Sequence, residues 1–84
     1  MFIKVKGSNS TACYVNTDHV INVDIFYGSI SKCWCYSFET LDRKFEHATN
    51  LPQDAKANAE NSLARIMERI NSDVIINEID ELIY

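Results

Sequence analysis

The fold is decided by the stretch from Asp54 to Ile70, which reads DAKANAENSLARIMERI. Its apolar side chains recur mostly three or four positions apart, and this spacing places them on one face of a helix. These side chains belong to Ala55, Ala59, Leu63, Ile66, Met67 and Ile70. The pattern predicts an amphipathic helix that needs an apolar surface to pack against.

Both ends of this helix carry sequence signals. Asn50 can cap free amide groups, Gln53 follows three residues later, and Pro52 is tolerated in a first helical turn. The segment 71–73 (Asn, Ser, Asp) competes with helical hydrogen bonding through its side chains. We therefore predict one long helix over residues 50–71.

The residues before the helix alternate between apolar and polar side chains, which is the period of half-buried strands. Short clusters of Gly, Ser, Asn and Asp separate the alternating runs, as is typical of turns. Strands are predicted over residues 1–6, 12–16, 20–27, 32–40 and 43–47. The predicted fold class is α+β, with an antiparallel meander of four to five strands (residues 1–48) packed against the helix.

The fourth predicted strand could bury either of its faces. Trp34, Tyr36 and Phe38 share one face, and Cys33 and Cys35 share the other. Because an aromatic ring buries roughly 150 to 250 Å², the aromatic face is favoured to meet the helix. In the alternative arrangement, these rings would join the other aromatic side chains predicted to point outward (Phe2, Tyr14 and Phe26) in an exposed patch typical of an interface.

The last twelve residues, 73–84, carry the net charge and are called the tail. The chain has a formal charge of -4, and residues 1–72 contain equal numbers of acids and bases. The tail acids are Asp73, Glu78, Asp80 and Glu81. Large aliphatic side chains recur among them, which predicts an acidic amphipathic segment that forms a short helix or a strand. Such a segment can pack on its own domain, on a protein partner or on a second copy in a homodimer.

Composition favours an ordinary globular domain in the cytoplasm. The 84 residues are 46% hydrophobic and 24% charged, which fits one domain with one core. No apolar run approaches the roughly 20 residues that a membrane-spanning helix needs. The first residues lack the order of a signal peptide, and three cysteines fit reduced thiols. The chain also lacks the clustered basic residues that nucleic-acid binding requires.

No residue pattern predicts a reaction, a cofactor or a metal site. The candidate metal ligands are Cys13, Cys33, Cys35, His19 and His47. A Cys-x-Cys pair on a strand puts two sulfurs on one face, but no second pair completes a zinc knuckle. Glycine-rich phosphate loops are absent as well. We therefore expect a protein that is not an enzyme.

The segment from Tyr14 to Val23 reads YVNTDHVINV. Together with the strand, short turn and helix that follow, it resembles the small FlbD-type proteins of flagellar operons and similar short bacterial and phage domains. The resemblance covers roughly residues 1–70 and consists of apolar spacing with Asn16 and Asp18. Leu41 and Asp42 stand where the family has an Asn-Gly turn. The resemblance implies a small non-enzymatic accessory module and assigns no functional residue.

Two functions fit these observations. The first is a protein–protein interaction or regulatory accessory module. Its candidate contact residues are Tyr14, Phe26, Asp73, Glu78, Asp80 and Glu81. The second is a phage-type acidic inhibitor of a nucleic-acid-handling host enzyme, similar to anti-CRISPR or anti-restriction factors. In that function the tail acids would take the place of phosphates.

Overall fold

The computed structural model describes residues 1–9 and 11–84. The described chain contains β1 (Phe2–Lys6), β2 (Ala12–Asn16), β3 (Asn22–Gly28), β4 (Cys33–Glu39), β5 (Lys44–Ala48) and the helix α1 (Lys56–Asn71). Single turns of 3-10 helix occupy Thr17–His19, Gln53–Ala55 and Ile79–Leu82. The predicted α+β class is confirmed. None of the described helices combines the length and apolar content needed to cross a membrane.

The five strands form two antiparallel sheets instead of one continuous meander. β1 and β2 form a hairpin, and β3, β4 and β5 form a three-stranded meander. In the hairpin, Ile3 stands opposite Val15, and both are buried as their alternation predicts. The hairpin lies beside β5, where the Lys6 N–H donates a hydrogen bond to Nδ1 of His47 (3.0 Å). The acceptor of this bond is a side chain and not a backbone carbonyl. The bond therefore links two sheets whose backbones are not paired with each other.

The aromatic face of β4 packs against the helix, as predicted. The side chains of Tyr36 and Phe38 are fully buried. The Tyr36 hydroxyl donates a hydrogen bond to the Ala59 carbonyl of α1 (2.9 Å), and Trp34 Nε1 donates one to the Gln53 carbonyl (3.1 Å). These bonds satisfy the polar tips of the two rings. The Tyr36 ring belongs to the main hydrophobic core, whereas Trp34 is only partly buried.

The opposite face of β4 is buried too, and Oγ of Ser31, in the turn before β4, lies 3.8 Å from Sγ of Cys35 on this face. Cys33 and Cys35 are both buried there and form no disulfide. The turn before β4 closes over this face with a hydrogen bond from the Lys32 N–H to the Gly28 carbonyl (2.8 Å). A Cβ atom at Gly28 would lie 2.3 Å from Oγ of Ser31, so a side chain there would force the Ser31 hydroxyl to move.

The predicted start of the helix is wrong, although its predicted end at residue 71 is confirmed. Asn50 caps no helix and instead has a positive φ of 66°. Trp34 of β4 accepts a hydrogen bond from the Thr49 N–H and donates one to the Leu51 carbonyl (both 3.0 Å). Asn50 therefore forms a bulge at the end of the sheet pairing. A 3-10 turn, Gln53–Ala55, then leads into α1.

The tail packs on its own domain. It contains one turn of 3-10 helix and no strand. Ile76, Ile79 and Leu82 are buried and belong to the main hydrophobic core. The other buried members of this core are Ile3, Val5, Val15, Tyr36, Phe38 and Ile66.

Candidate functional site

An apolar groove of about 700 Å³ lies between the β1–β2 hairpin and the turn that joins β4 to β5. Four large hydrophobic side chains around it are exposed: Phe2 (64%), Tyr14 (68%), Ile21 (61%) and Leu41 (88%). Single exposed hydrophobic residues are common on protein surfaces, but a cluster around one concavity is typical of an interaction site. We call this surface the Leu41 groove.

The β4–β5 turn holds Leu41 away from the core. The Thr40 N–H donates a hydrogen bond to the Arg43 carbonyl (2.9 Å), and the Thr40 hydroxyl donates to the same carbonyl (3.1 Å). Leu41 and Asp42 occupy the two central positions of this turn. A side chain at the tip of so short a connection cannot reach the core, so its exposure follows from the local geometry.

The opposite wall of the groove is shaped by the turn Thr17–His19. The Asn16 side chain accepts a hydrogen bond from the Asp18 N–H (3.0 Å), and the Thr17 N–H and hydroxyl both donate to the Met1 carbonyl (2.8 and 2.9 Å). This turn delays the start of β3. The third strand was predicted to begin at residue 20, but β3 begins at Asn22, and Ile21 precedes it and is exposed.

The rim of the groove carries charges of both signs. The guanidinium of Arg43 lies 4.3 Å from the ring centroid of Phe45, and this cation–π contact holds it in place. Asp18, His19 and Asp42 also line the groove. An apolar centre with a polar rim is the usual anatomy of a protein–protein interface.

The structure separates the two aromatic residues that the sequence predicted as contact residues. Tyr14 lines the Leu41 groove, whereas Phe26 lines a smaller cavity of about 220 Å³ beside Ile30 and Cys35. They lie apart because Tyr14 belongs to the hairpin and Phe26 to the three-stranded sheet. Sequence reasoning did not single out Leu41, since a turn position carries no periodic signal.

Asp80 is tied to the sheet. Its Oδ1 lies 2.8 Å from Nε2 of His47, whose Nδ1 accepts a hydrogen bond from the Lys6 N–H. Because Nδ1 is an acceptor, the neutral ring carries its proton on Nε2 and donates it to Asp80. The remaining tail acids, Asp73, Glu78 and Glu81, are exposed. Asp80, although itself 65% exposed, therefore anchors the tail through His47, and the other three acids face solvent without such a contact to the sheet.

The candidate metal ligands are dispersed. Within the part of the chain that the structure describes, no three His, Cys, Asp or Glu side chains are grouped as a metal site. His19 lines the Leu41 groove and His47 contacts the tail. Cys33 and Cys35 share the opposite face of β4, as their spacing predicts.

The two thiols of β4 differ in their tendency to ionise. Burial disfavours both thiolates, but hydrogen bonds from the Ser31 hydroxyl and the Asn50 backbone amide outweigh it and lower the pKa of Cys33. Burial, followed by repulsion from Cys33 and Glu46, raises the pKa of Cys35. Cys33 is therefore the thiol of this pair that ionises more readily.

Comparison of the chain with known protein families, curated proteins and solved structures gives no significant match. The fold and the groove define a class, which is a small α+β protein with a concave apolar surface. Its function is inferred from the geometry of that surface.

Proposed function

We propose that this protein is a small non-enzymatic interaction module that binds another protein through the Leu41 groove. The observation that carries the proposal is the convergence of four exposed hydrophobic side chains on one concavity. Burying one large apolar side chain contributes about 1.5 to 3 kcal/mol. Several together can offset the cost of association and support binding in the micromolar range.

The groove is preorganised, because hydrogen bonds fix the two turns that form its walls. The turn at Thr40–Arg43 and the turn at Thr17–His19 are each fixed by hydrogen bonds of 2.8 to 3.1 Å. A preorganised surface loses little conformational entropy on association. The charges of Asp18, Asp42 and Arg43 at the rim provide a means of selecting among partners.

The FlbD-type resemblance implies a role of the same class, namely a non-enzymatic accessory module. That resemblance stays a prediction, and the proposal does not depend on it. A flagellar role is not part of the proposal, since the residues that carry the resemblance assign no partner.

The proposal is tested by selecting peptides from a random displayed library on the immobilised protein and measuring their affinity by calorimetry. Leu41→Asp places a charge in the groove, and Ile75→Asp is the matched control because Ile75 is exposed (74%) and lies in the tail. We expect selected peptides to bind the wild type and Ile75→Asp equally, and to bind Leu41→Asp at least about tenfold more weakly. Equal affinity for all three proteins would exclude the groove.

A second candidate, the phage-type acidic inhibitor, is supported by the way the tail presents its acids. Asp73, Glu78 and Glu81 are exposed, while three aliphatic side chains of the same segment (Ile76, Ile79 and Leu82) are anchored in the core. Fixed carboxylates could occupy the phosphate sites of a nucleic-acid-handling enzyme.

The two candidates differ in their response to salt. Binding through the groove should change little with ionic strength, whereas phosphate mimicry should weaken steeply. Neutralising the three exposed acids (Asp73→Asn, Glu78→Gln and Glu81→Gln) should abolish an inhibitor and leave binding at the groove unchanged. Leu41→Asp should have the opposite pattern.

A further inference from the structure

The hydrogen-bonding direction of each residue in β4 can be assigned from its pairing with β5. The Thr49 N–H donates to the Trp34 carbonyl (3.0 Å), and these residues continue the register in which Cys35 stands opposite Ala48. Backbone groups of consecutive residues in an antiparallel strand point to opposite sides. Trp34 therefore bonds toward β5, and Cys35 and Ser37 bond toward β3.

The same alternation identifies which residues of β3 are free. Asp24 stands opposite Ser37 and Phe26 opposite Cys35, so both bond to β4. The backbone N–H and C=O groups of the alternate residues, Val23, Ile25 and Tyr27, point away from the sheet. Among the described residues, no strand pairs with this edge. Natural proteins often protect such edges with lysine or proline, and β3 contains neither.

We propose that two copies of this protein associate through antiparallel pairing of their β3 strands about a twofold axis at Ile25. In this register Ile25 pairs with Ile25 of the second copy, and Val23 pairs with Tyr27. Every outward backbone group of the three residues then has a partner. The three-stranded sheet of one copy and that of the other then join into one continuous sheet of six strands.

The negative charge of Asp24 favours this register over the register in which the twofold axis passes through Asp24. With the axis at Ile25, Asp24 faces Phe26 of the second copy. Moving the axis to Asp24 would place two carboxylates directly opposite each other, and facing like charges destabilise a strand pair. Asp24 is the one charged residue of β3, so the strand is complementary to itself in the first register and repels itself in the second.

Two exposed isoleucines favour a second copy over an unrelated strand. Ile21 and Ile30 flank β3 at its opposite ends and are 61% and 94% exposed. Antiparallel pairing about Ile25 places the turn after β3, which carries Ile30, at the end of the interface where residues 20 and 21 of the other copy enter β3. A foreign strand would leave these side chains uncovered unless it supplied matching apolar residues at both ends.

The interface is small. Stable complexes bury roughly 1,200 to 2,000 Å², and a single pair of seven-residue strands with two isoleucine contacts lies at or below that range. The dimer is therefore weak and depends on protein concentration. Its twofold symmetry closes the assembly at two copies.

Ile25→Pro tests the pairing. Among backbone hydrogen-bond donors, proline removes only the outward-pointing N–H of residue 25, so the β3–β4 ladder keeps its hydrogen bonds. Two central hydrogen bonds of the dimer disappear, and the dissociation constant should rise roughly 30-fold. The measurement is sedimentation velocity of the full chain from about 1 μM to 1 mM, a range that covers weak association.

Tyr14→Pro is the matched control for the other free edge. The Thr17 N–H bonds to the Met1 carbonyl (2.8 Å), and in that register Tyr14 of β2 points its backbone groups outward. We expect this variant to dimerise like the wild type. Loss of the dimer in Tyr14→Pro and not in Ile25→Pro would move the interface to β2 and overturn the proposal.

Ile25 also packs against the core, so Ile25→Pro removes core contacts as well as an N–H group. Ile30→Asp is a second test that leaves the core untouched. Ile30 lies in an exposed turn, so its replacement should abolish the dimer without unfolding the chain. A wild type that stays monomeric at every concentration, or an Ile30→Asp variant that dimerises normally, contradicts the proposal. So does protection of the β3 amides from hydrogen exchange only after another protein is added.

The dimer interface and the Leu41 groove share Ile21 at their border, whereas Ile30 belongs only to the first and Leu41 only to the second, so substitutions at these two residues distinguish the surfaces. Leu41→Asp should leave the dimerisation constant unchanged, and Ile30→Asp should leave peptide binding at the groove unchanged. Failure of one proposal therefore does not imply failure of the other.

Discussion

The tail and the Leu41 groove are both rich in large apolar side chains, yet the tail buries three of its own (Ile76, Ile79 and Leu82), whereas the groove exposes Phe2, Tyr14, Ile21 and Leu41. Ile79 of the tail is 2% exposed, whereas Leu41 of the groove is 88% exposed. Hydrophobic content alone does not explain this difference. Apolar residues in a segment therefore do not by themselves show whether it belongs to the core or to an interaction surface.

The difference follows from where the polar groups of each segment bond. The tail is anchored to distant elements: Asp80 contacts His47, the Tyr84 N–H donates to Oγ of Ser62 (3.0 Å), and Arg65 donates to the Tyr84 carbonyl (3.2 Å). The guanidinium of Arg65 also lies 3.8 Å from the centroid of the Tyr84 ring. The turns around the groove bond mostly within themselves, so their side chains are held outward.

The largest effect should come from truncating the tail anchor in the core. Ile79→Ala removes a buried side chain and should lower the free energy of unfolding by about 2 to 4 kcal/mol. Ile21→Ala, the same substitution at the groove, should change it by less than about 0.5 kcal/mol. Urea denaturation measures both variants. Equal losses would remove the distinction between the two regions.

The second effect concerns the buried hydroxyl of Tyr36, which bonds to the helix. Burial raises the pKa of Tyr36 to about 12, whereas an unfolded tyrosine has a pKa of about 10. Between these values the unfolded chain releases the proton and the folded chain keeps it, so stability falls as pH rises, by about 2 kcal/mol.

The test is urea denaturation of the wild type and Tyr36→Phe from pH 9 to 12. At neutral pH the variant should lose about 0.5 to 1.5 kcal/mol, because its hydrogen bond to Ala59 is gone. The stability advantage of the wild type should shrink as pH rises, since the variant has no buried hydroxyl to ionise. Tyr14→Phe removes an exposed hydroxyl and is the matched control. A constant difference between wild type and Tyr36→Phe across this range would contradict the assignment.

The third effect tests the polar anchor of the tail. Asp80→Ala leaves Nε2 of the buried His47 without its partner and should cost about 1 kcal/mol. The adjacent Glu81 is exposed, and Glu81→Ala should change stability by less than about 0.5 kcal/mol. Thermal and urea unfolding compare the two. If the variants behave alike, the contact between His47 and Asp80 does not hold the tail.

The smallest effect on stability belongs to the groove. Leu41→Asp should change the free energy of unfolding by less than about 0.5 kcal/mol, because the side chain already contacts water. A loss above about 1 kcal/mol would mean that Leu41 packs against the domain in solution and that the groove is part of the core. The same denaturation experiments decide this.

Much of the fold could be predicted from local pattern. The helical spacing that ends at Ile70, the alternation in β1 and the aromatic face of β4 all match the structure. These predictions succeed because side-chain direction repeats with the backbone period of each element. The start of the helix was not predictable in the same way. Asn50 has the residue type of a cap, but pairing of Thr49 and Leu51 with β4 takes that backbone into the sheet.

Most residues of the candidate site could not be predicted from the sequence. Tyr14 was identified as an outward-facing aromatic residue, but its neighbours in the groove come from segments far apart in the chain. Leu41 and Phe2 meet there only because the hairpin folds beside the β4–β5 turn. Phe26, which the sequence grouped with Tyr14, lies on a different sheet.

The amino-acid sequence by itself determined which side chains share a face of each strand and of the helix, because that property depends only on the local backbone period. The tertiary structure alone decided which of those faces are covered. Coverage depends on hydrogen bonds and contacts between distant residues, such as the bond that joins Asp80 to His47. Ile79 is core and Leu41 is surface for that reason, although both are large aliphatic residues in short irregular segments.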